Sequence, residues 1–514
     1  MSDMSAALSQ LKTRLSDIHN LEMAGAVLGW DQQTYMPPGG VVARANQLAT
    51  LSKISHQMFT SDETARLLEA AERENSGLPP ESDDACLLVV ARRDFDKATK
   101  LPEDLVTEIS RVTSLAQEEW ARARAADEYS QFAPWLERIL DLQRRTAAAL
   151  GYKDRLYDAL LNQYEYGMTS AELDPIFEEL KTAVIPLARA IAERSGADSG
   201  GAVSDNAVSD EVLHRDYDED QQRAFAERVL KDCGYDWSRG RQDRSVHPFC
   251  TNFGRDDVRI TTRYNRNDLQ SALFGSMHEM GHALYEQGID QALDGTLLGG
   301  GTSLGVHESQ SRLWENLVGR SRGFWSHYFP ALHETFPAQL SDVSVEEFYR
   351  AMNRVNPSLI RVEADEVTYN LHIILRYEME NELLEERLSV ADAPEAWNAR
   401  MQEYLGVTPS TNREGILQDV HWSIGAMGYF PTYSLGNILS VQLWDKALQD
   451  EPAIPDEIAS GRFSSLLGWL RENVHRHGRK FPPRVLVERA TGRGLDVAPY
   501  AAYLKHKFGE VYDI

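Results

Sequence analysis

Two histidines four residues apart, with a glutamate beside the first, have the clearest chemical purpose in this chain: His278, Glu279 and His282 in HEMGH. On a helix, side chains at i and i+4 lie above one another on one face, so both imidazoles can point at a single ion. Glu279 sits one residue round from the first ligand, where its carboxylate can reach a water on the ion without ligating the ion itself. The spacing supplies two ligands and a base. A short motif of this kind also arises by chance, so its surroundings must carry the assignment. A catalytic zinc site of this type takes a third protein ligand, a carboxylate, and keeps a fourth position open. After the glycine-rich connection 295–305 comes GVHESQSRLWEN, where Glu308 begins a second helical pattern and is the expected third ligand. His307 precedes it; adjacent side chains on one helix point apart, so His307 is not counted.

The stretch that must hold the first three side chains is residues 267–288, NDLQSALFGSMHEMGHALYEQG. Asn267 or Asp268 can cap a helix start, Leu269, Leu273, Met277, Met280 and Leu284 recur at helical spacings, and Gly288 fits just past the end. Helical periodicity covers most of the remaining chain. It marks helices at 5–28, Asp62–Glu74 and 84–98, continues from Pro102 to residue 150, and resumes over 169–194 behind the capping sequence Thr-Ser-Ala-Glu. LYDALLNQYEYG, between the last two, reads as helix or loop. Residues 195–206 are small, polar and glycine-rich, either a surface loop or a linker between an N-terminal helical layer or lid, 1–195, and a core, 207–514. The β signal is 246–264, just before the metal helix, where DVRITTRY alternates branched and polar residues. It is expected to form a small sheet there: a structural hairpin, or an edge strand that pairs with an extended peptide backbone.

Composition excludes several classes. At 514 residues with 42% hydrophobic content, the chain can bury a large core. It has no apolar run long enough to cross a bilayer, and MSDMSAALSQLKTRLSD contains no signal-peptide core, so a cytoplasmic protein without a membrane partner is expected. Cys86, Cys233 and Cys250 are scattered, which excludes a cysteine-based zinc site and makes no disulfide framework. With 53 basic against 79 acidic residues and a net charge of −26, no nucleic-acid partner is expected, because phosphate neutralisation needs a basic surface. The basic cluster HRHGRKFPPR at 475–484 reads as a solvated loop. GGGTSLG at 299–305 lacks the Lys and Ser/Thr pair of a phosphate-binding loop and reads as a flexible approach to the site.

HEMGH followed by HESQ resembles the M32 family of metallocarboxypeptidases, the carboxypeptidase Taq type. His247-Pro248-Phe249, DVRIT at 257–261, IRVEAD at 360–365 and GILQDVHW at 415–422 match further motifs of that family. WDQQTYMPPGG near the N-terminus and TGRGLDVAPYAAYLKHKF at the C-terminus extend the match over nearly the whole chain. The resemblance implies one peptidase domain over 1–514 with a mainly α, helical zinc-peptidase fold of the gluzincin, neurolysin-like kind. In that fold a deep substrate groove has the zinc helix at its floor, N-terminal helices along one wall and a small β-sheet beside the zinc helix. It further implies a homodimer, peptide substrates with a free C-terminus, and release of single C-terminal residues with broad specificity and poor cleavage next to proline. Zinc is the expected cofactor, and the ligand set also accepts cobalt or manganese.

Within that reading Glu279 takes a proton from the attacking water and delivers it to the leaving amine. Donors for the charge of the tetrahedral intermediate are sought in DVHWSIGAMGYFPTY, whose His421, Tyr429 and Tyr433 are polar-tipped; a similar His followed by Tyr occurs in related helical zinc peptidases. An exopeptidase must read a free carboxylate, which suits arginine's planar fork. By family motif Arg361 is the first candidate and Arg259 the second. His247 contacts substrate or ties the strand, while Asp365 and Glu315 are candidates to orient Arg361 or a metal ligand. The same zinc chemistry also serves oligopeptidases and dipeptidyl carboxypeptidases, which differ in how the groove ends. A non-catalytic helical scaffold is the other class, but structural zinc sites normally close four ligands and need no base such as Glu279.

Overall fold

Ser5 opens the first helix, Ala6–Thr34, by accepting a hydrogen bond from the Leu8 amide at 3.2 Å. Leu8, Leu11 and Leu15, spaced three and four apart, pack into one apolar cluster with Leu68 and Ala71 of the helix Asp62–Glu74 and Leu87, Val90 and Ala91 of the helix Asp83–Lys100. Each large side chain buried there contributes about 1.5–3 kcal/mol by leaving water. The first helix runs on through Thr34 instead of stopping near residue 28. The helix Val41–Phe59 has no counterpart in the periodicity, for a physical reason: among its described residues only Ser55 is buried, so no apolar stripe marks it.

The computed structural model describes residues 5–195 and 208–514; the expected linker at 195–206 therefore lies, beyond Ser195, outside the described residues. The chain divides into two compact units. The first takes Met1–Thr99, Glu211–Tyr349 and Leu443–Gly494, and the second Lys100–Asp210, Arg350–Gln442 and Leu495–Ile514. Residues 1–195 thus contribute to both. Among the described residues no helix is long and apolar enough to cross a membrane.

In the second unit, the periodicity from 102 to 150 resolves into two helices, Glu103–Ala126 and Tyr129–Leu150, broken at Asp127, which adopts a left-handed φ of 59°. Thr169 stands before the helix Ser170–Ser195, and its N–H and Oγ1 donate to Glu172 at 3.1 and 2.9 Å, as the capping sequence requires. LYDALL forms the short helix Leu156–Leu161, and turns follow it. The helix Tyr369–Leu384 is buried along most of its length and carries Arg376 and Glu380 into the interior.

In the first unit, three strands form the sheet among the described residues: β1 (Gln242–Arg244), β2 (Cys250–Asn252) and β3 (Val258–Thr262), in the order β1-β3-β2. β3 pairs parallel with β1 and antiparallel with β2. β2 and β3 lie inside the expected β segment, whereas the three residues of β1 are too short and polar to read from alternation. Hydrogen bonds tie Phe249, Thr251 and Phe253 to β3, so Cys250 and Asn252 turn their main-chain groups toward the sheet edge. Val258 and Ile260 are fully buried, and β2 and β3 both lie against the metal helix.

That helix is Leu269–Gly288, capped by Asp268, whose side chain accepts from the Ser271 amide at 3.3 Å. Gly288 is its last residue instead of the one just beyond. The helix Leu304–Arg312, capped by Ser303, packs beside it and runs into a π-helical turn, Leu313–Val318. The approach is closest at Gly281: a Cβ there would stand 2.6 Å from both Gln310 O and Ser311 Cα. Glycine is required between the motif's histidines because the neighbouring backbone fills that space.

Candidate active site

The tight packing at Gly281 brings Glu308 up to the two histidines of the metal helix. His278 Nε2 and His282 Nε2 each lie 3.5 Å from Glu308 Oε2, and ligand atoms from the three residues lie within 4.8 Å of one another. Donors about 2.1 Å from a tetrahedral ion stand roughly 3.4 Å apart, so this set fits a divalent cation with one position left open. Glu308 Oε1 accepts from Arg312 Nε at 2.7 Å, and Oε2 accepts from Ser311 Oγ at 3.0 Å, which holds the carboxylate in place. Burial alone raises its pKa, but Arg312 and His278 outweigh burial and hold it well below the usual carboxylate range. The Glu308 carboxylate is therefore ionised, as a metal ligand would have to be.

The imidazoles differ in their surroundings. Burial pushes His282 down to about 3, leaving it neutral with a lone pair to offer. Burial also opposes charge on His278, yet Glu308 and Glu315 overcome it and hold its pKa up at about 9, so a cation entering the site displaces a proton. Glu315 Oε2 lies 2.9 Å from His278 Nδ1 and 3.3 Å from Arg312 Nη1, with Arg320 at 3.6 Å from Oε1. Glu315 thus fixes the His278 imidazole from outside the candidate ligand set. His307, not counted from the sequence, also touches a ligand imidazole, that of His282. No spacing within its own helix announces this, because His282 belongs to another helix.

Glu279 is 7% exposed, and burial pushes its carboxyl up to about 7 while His278 pulls it back. Burial, with the charges of Glu279 and Glu286 added to it, raises the Cys250 thiol well above its usual range, and β2 packs on the helix that carries both glutamates. Of the other candidates in the first unit, Arg259 on β3 grips Asp257 through Nε and Nη2 at 2.8 and 2.7 Å, with its guanidinium over the rings of Trp30 and Phe253. His247 is exposed on the turn between β1 and β2, where its carbonyl accepts from Ser245 Oγ at 2.6 Å.

The second unit gathers the remaining candidates. Arg361 is 5% exposed; its Nε and Nη2 donate to Asp419 Oδ1 at 3.0 and 2.7 Å, and its Nη1 donates to Tyr369 at 3.0 Å. Arg376 takes the other oxygen of Asp419, with Nε at 2.6 Å. Two guanidinium groups therefore share one carboxylate. Beside them, His421 Nε2 is 3.4 Å from Tyr433 Oη, and its ring lies 5.4 Å from that of Tyr429. Burial pushes His421 down to about 4, so it is neutral at pH 7. Glu380 anchors the loop that bears these groups, accepting from Trp422 Nε1 at 2.9 Å and from the Gly428 amide at 3.0 Å. Asp365 caps its own turn, accepting from the Val367 and Thr368 amides at 2.9 and 3.0 Å. Sequence reasoning passed over Asp419, Arg376 and Glu380. Asp419 stood inside a quoted motif, but nothing local pairs it with arginines 58 and 43 residues away.

Two imidazoles and a carboxylate converging on one point, with a buried glutamate next to them, make this chain a helical metallopeptidase. Known proteins narrow the class. The family described as carboxypeptidase Taq (M32) metallopeptidase matches residues 10–508. Thermostable carboxypeptidase 1 of Thermus thermophilus is 44% identical over 503 residues, 96% of either chain, and carboxypeptidase 1 of Bacillus subtilis is 39% identical over 97% of either. The crystal structure of an M32 carboxypeptidase from Deinococcus radiodurans superimposes with a TM-score of 0.95 at 44% identity, covering 99% of this chain and 100% of that one. The chain belongs to the M32 family and is a metallocarboxypeptidase with a helical zinc-peptidase fold, acting on peptides with a divalent metal.

Proposed function

We propose that this enzyme releases single amino acids from free peptide C-termini, with zinc held by His278, His282 and Glu308 and with Glu279 as general base. The observation that carries the reading is the convergence of donor atoms from His278, His282 and Glu308, with the buried carboxyl of Glu279 next to the first of them in the chain. A divalent ion held there supplies Lewis-acid polarisation of the scissile carbonyl and acidifies a water; zinc, cobalt and manganese all suit the donor set. Glu279 accepts the proton of the attacking water and delivers it to the leaving amine, work that needs a carboxyl held beside the ion without ligating it.

The edge of β2 holds the peptide main chain through Cys250 and Asn252 regardless of side chains, with His247 and Arg259 lining that approach. Neutral His421, with Tyr429 and Tyr433, donates hydrogen bonds to the developing negative charge. Arg361 reads the C-terminal carboxylate. In support, Arg361 and Arg376 set two positive charges against the one negative charge of Asp419, and the uncompensated charge suits an incoming carboxylate. The family resemblance supports a homodimer, which light scattering at working concentration tests.

The experiment is digestion of one mixed-sequence peptide, with free and with amidated C-terminus, by metal-loaded and by chelated enzyme, followed by mass spectrometry. One-residue ladders from the free end, abolished by chelation, are expected. Two-residue or internal cuts that ignore the amide would replace single-residue release with oligopeptidase action.

A further inference from the structure

His307 stands in contact with a metal ligand without belonging to the ligand set. Its Nδ1 lies 2.6 Å from Nδ1 of His282, and its Nε2 lies 2.7 Å from Oε1 of Glu286. Glu286, 6% exposed, also accepts from the Gly301 amide at 3.3 Å and from the Asn252 side chain on β2. All of these groups belong to the first unit.

Protons can be placed along this row in one consistent way. His282 turns Nε2 toward Glu308, and a ligand nitrogen must keep its lone pair for the ion. The proton of His282 is therefore on Nδ1 and is donated to Nδ1 of His307. His307 then carries its own proton on Nε2 and donates it to Glu286, whose carboxylate ends the row as an acceptor. We propose that His307 and Glu286 are positioning residues that fix the tautomer and ring orientation of His282. The row does for His282 through an interposed imidazole what Glu315 does directly for His278.

The surroundings leave His307 little freedom to do otherwise. A Cβ on Gly301 would stand 2.5 Å from His307 Cδ2, and the Tyr285 ring lies 5.1 Å from the imidazole. The inference rests on His282 being a ligand and adds what holds it.

The test compares His307→Phe, which keeps a ring but offers no acceptor, with His307→Asn, whose amide oxygen can stand where Nδ1 stood. Zinc affinity is measured by competition with a chromophoric chelator, the visible spectrum of the cobalt-loaded protein is recorded, and folding is followed by circular dichroism. His307→Phe is expected to weaken zinc binding by about 10–100-fold and to alter the cobalt spectrum, with His307→Asn recovering most of both. If His307→Phe does not fold, His307→Gln replaces it, since its longer side chain carries the amide near the Nε2 position and is expected to bind zinc as poorly. Zinc affinity at the parental level in the folded Phe or Gln variant overturns the proposal, as does an Asn variant that loses as much as Phe. His282→Ala is run alongside: tight zinc binding by that variant would remove the ligand assignment itself, a different failure from an intact site that ignores His307.

Discussion

Glu279 and Glu308 are both buried glutamates, the first next to His278 in the chain and the second 3.5 Å from both imidazoles, and their environments suit them to opposite duties. Arg312 holds Glu308 ionised, as a ligand must be, whereas Glu279 is pushed toward neutrality by burial and can carry a proton. Glu279→Gln should therefore keep its metal while turnover falls by about 10²–10⁴-fold, the usual worth of a general base. Metal content and kcat on one preparation check this, and near-parental turnover would remove Glu279 from the chemistry. Glu308→Ala should fail earlier, at metal binding. Equilibrium dialysis that finds it fully metallated would strip Glu308 of its role.

At the scale of elements, the site depends on how closely two helices approach. Gly281→Ala puts a methyl 2.6 Å from backbone atoms of the helix Leu304–Arg312, which cannot swing aside as a side-chain tip could. It should destabilise the protein by about 1–3 kcal/mol, typical of overpacking, and weaken metal binding by drawing Glu308 from the histidines. Denaturant unfolding and metal titration test the two effects together; an unchanged protein would mean that the helices have slack at that contact.

In the second unit the corresponding joint is Asp419. Burial opposes its charge, but Arg361 and Arg376 hold its pKa well below the ordinary 3.8. A carboxyl depressed in this way adds stability above its unfolded pKa and loses it as the pH falls from about 4 toward the folded value. Asp419→Asn should cost about 3–5 kcal/mol near neutrality, because it leaves two buried guanidinium groups facing each other. The gap between the two proteins should narrow below pH 4, and urea melts at pH 7 and pH 3 would show whether it does.

Across the whole molecule, the proposed ligand set draws on two helices, so metal binding and folding should be linked. Zinc at about 100 times its Kd should add about 2.7 kcal/mol of stability, provided the unfolded chain does not bind it. Calorimetry with and without zinc measures this, with Glu308→Ala as the protein expected to show no shift. An equal shift in that variant would place the stabilising metal elsewhere.

Much of this protein is local, and what is local could be read along the chain. The i, i+4 geometry of His278 and His282, the apolar steps of the metal helix and the bounds of Asp62–Glu74 follow from 3.6 residues per turn and need no knowledge of neighbours. The need for a third, carboxylate ligand pointed to Glu308 at the start of a second helical pattern, and motif resemblance added Arg361 and the family. Tertiary structure alone decided the partners: His307 on His282, Glu315 on His278, and Asp419 between Arg361 and Arg376. It also set β1 beside β3 and made a helix of Val41–Phe59 without an apolar stripe to announce it. The physical reason is that periodicity reports which way a side chain faces relative to its own backbone. Which group waits there depends on how two distant elements pack, and at this site on a glycine that lets one backbone reach the other.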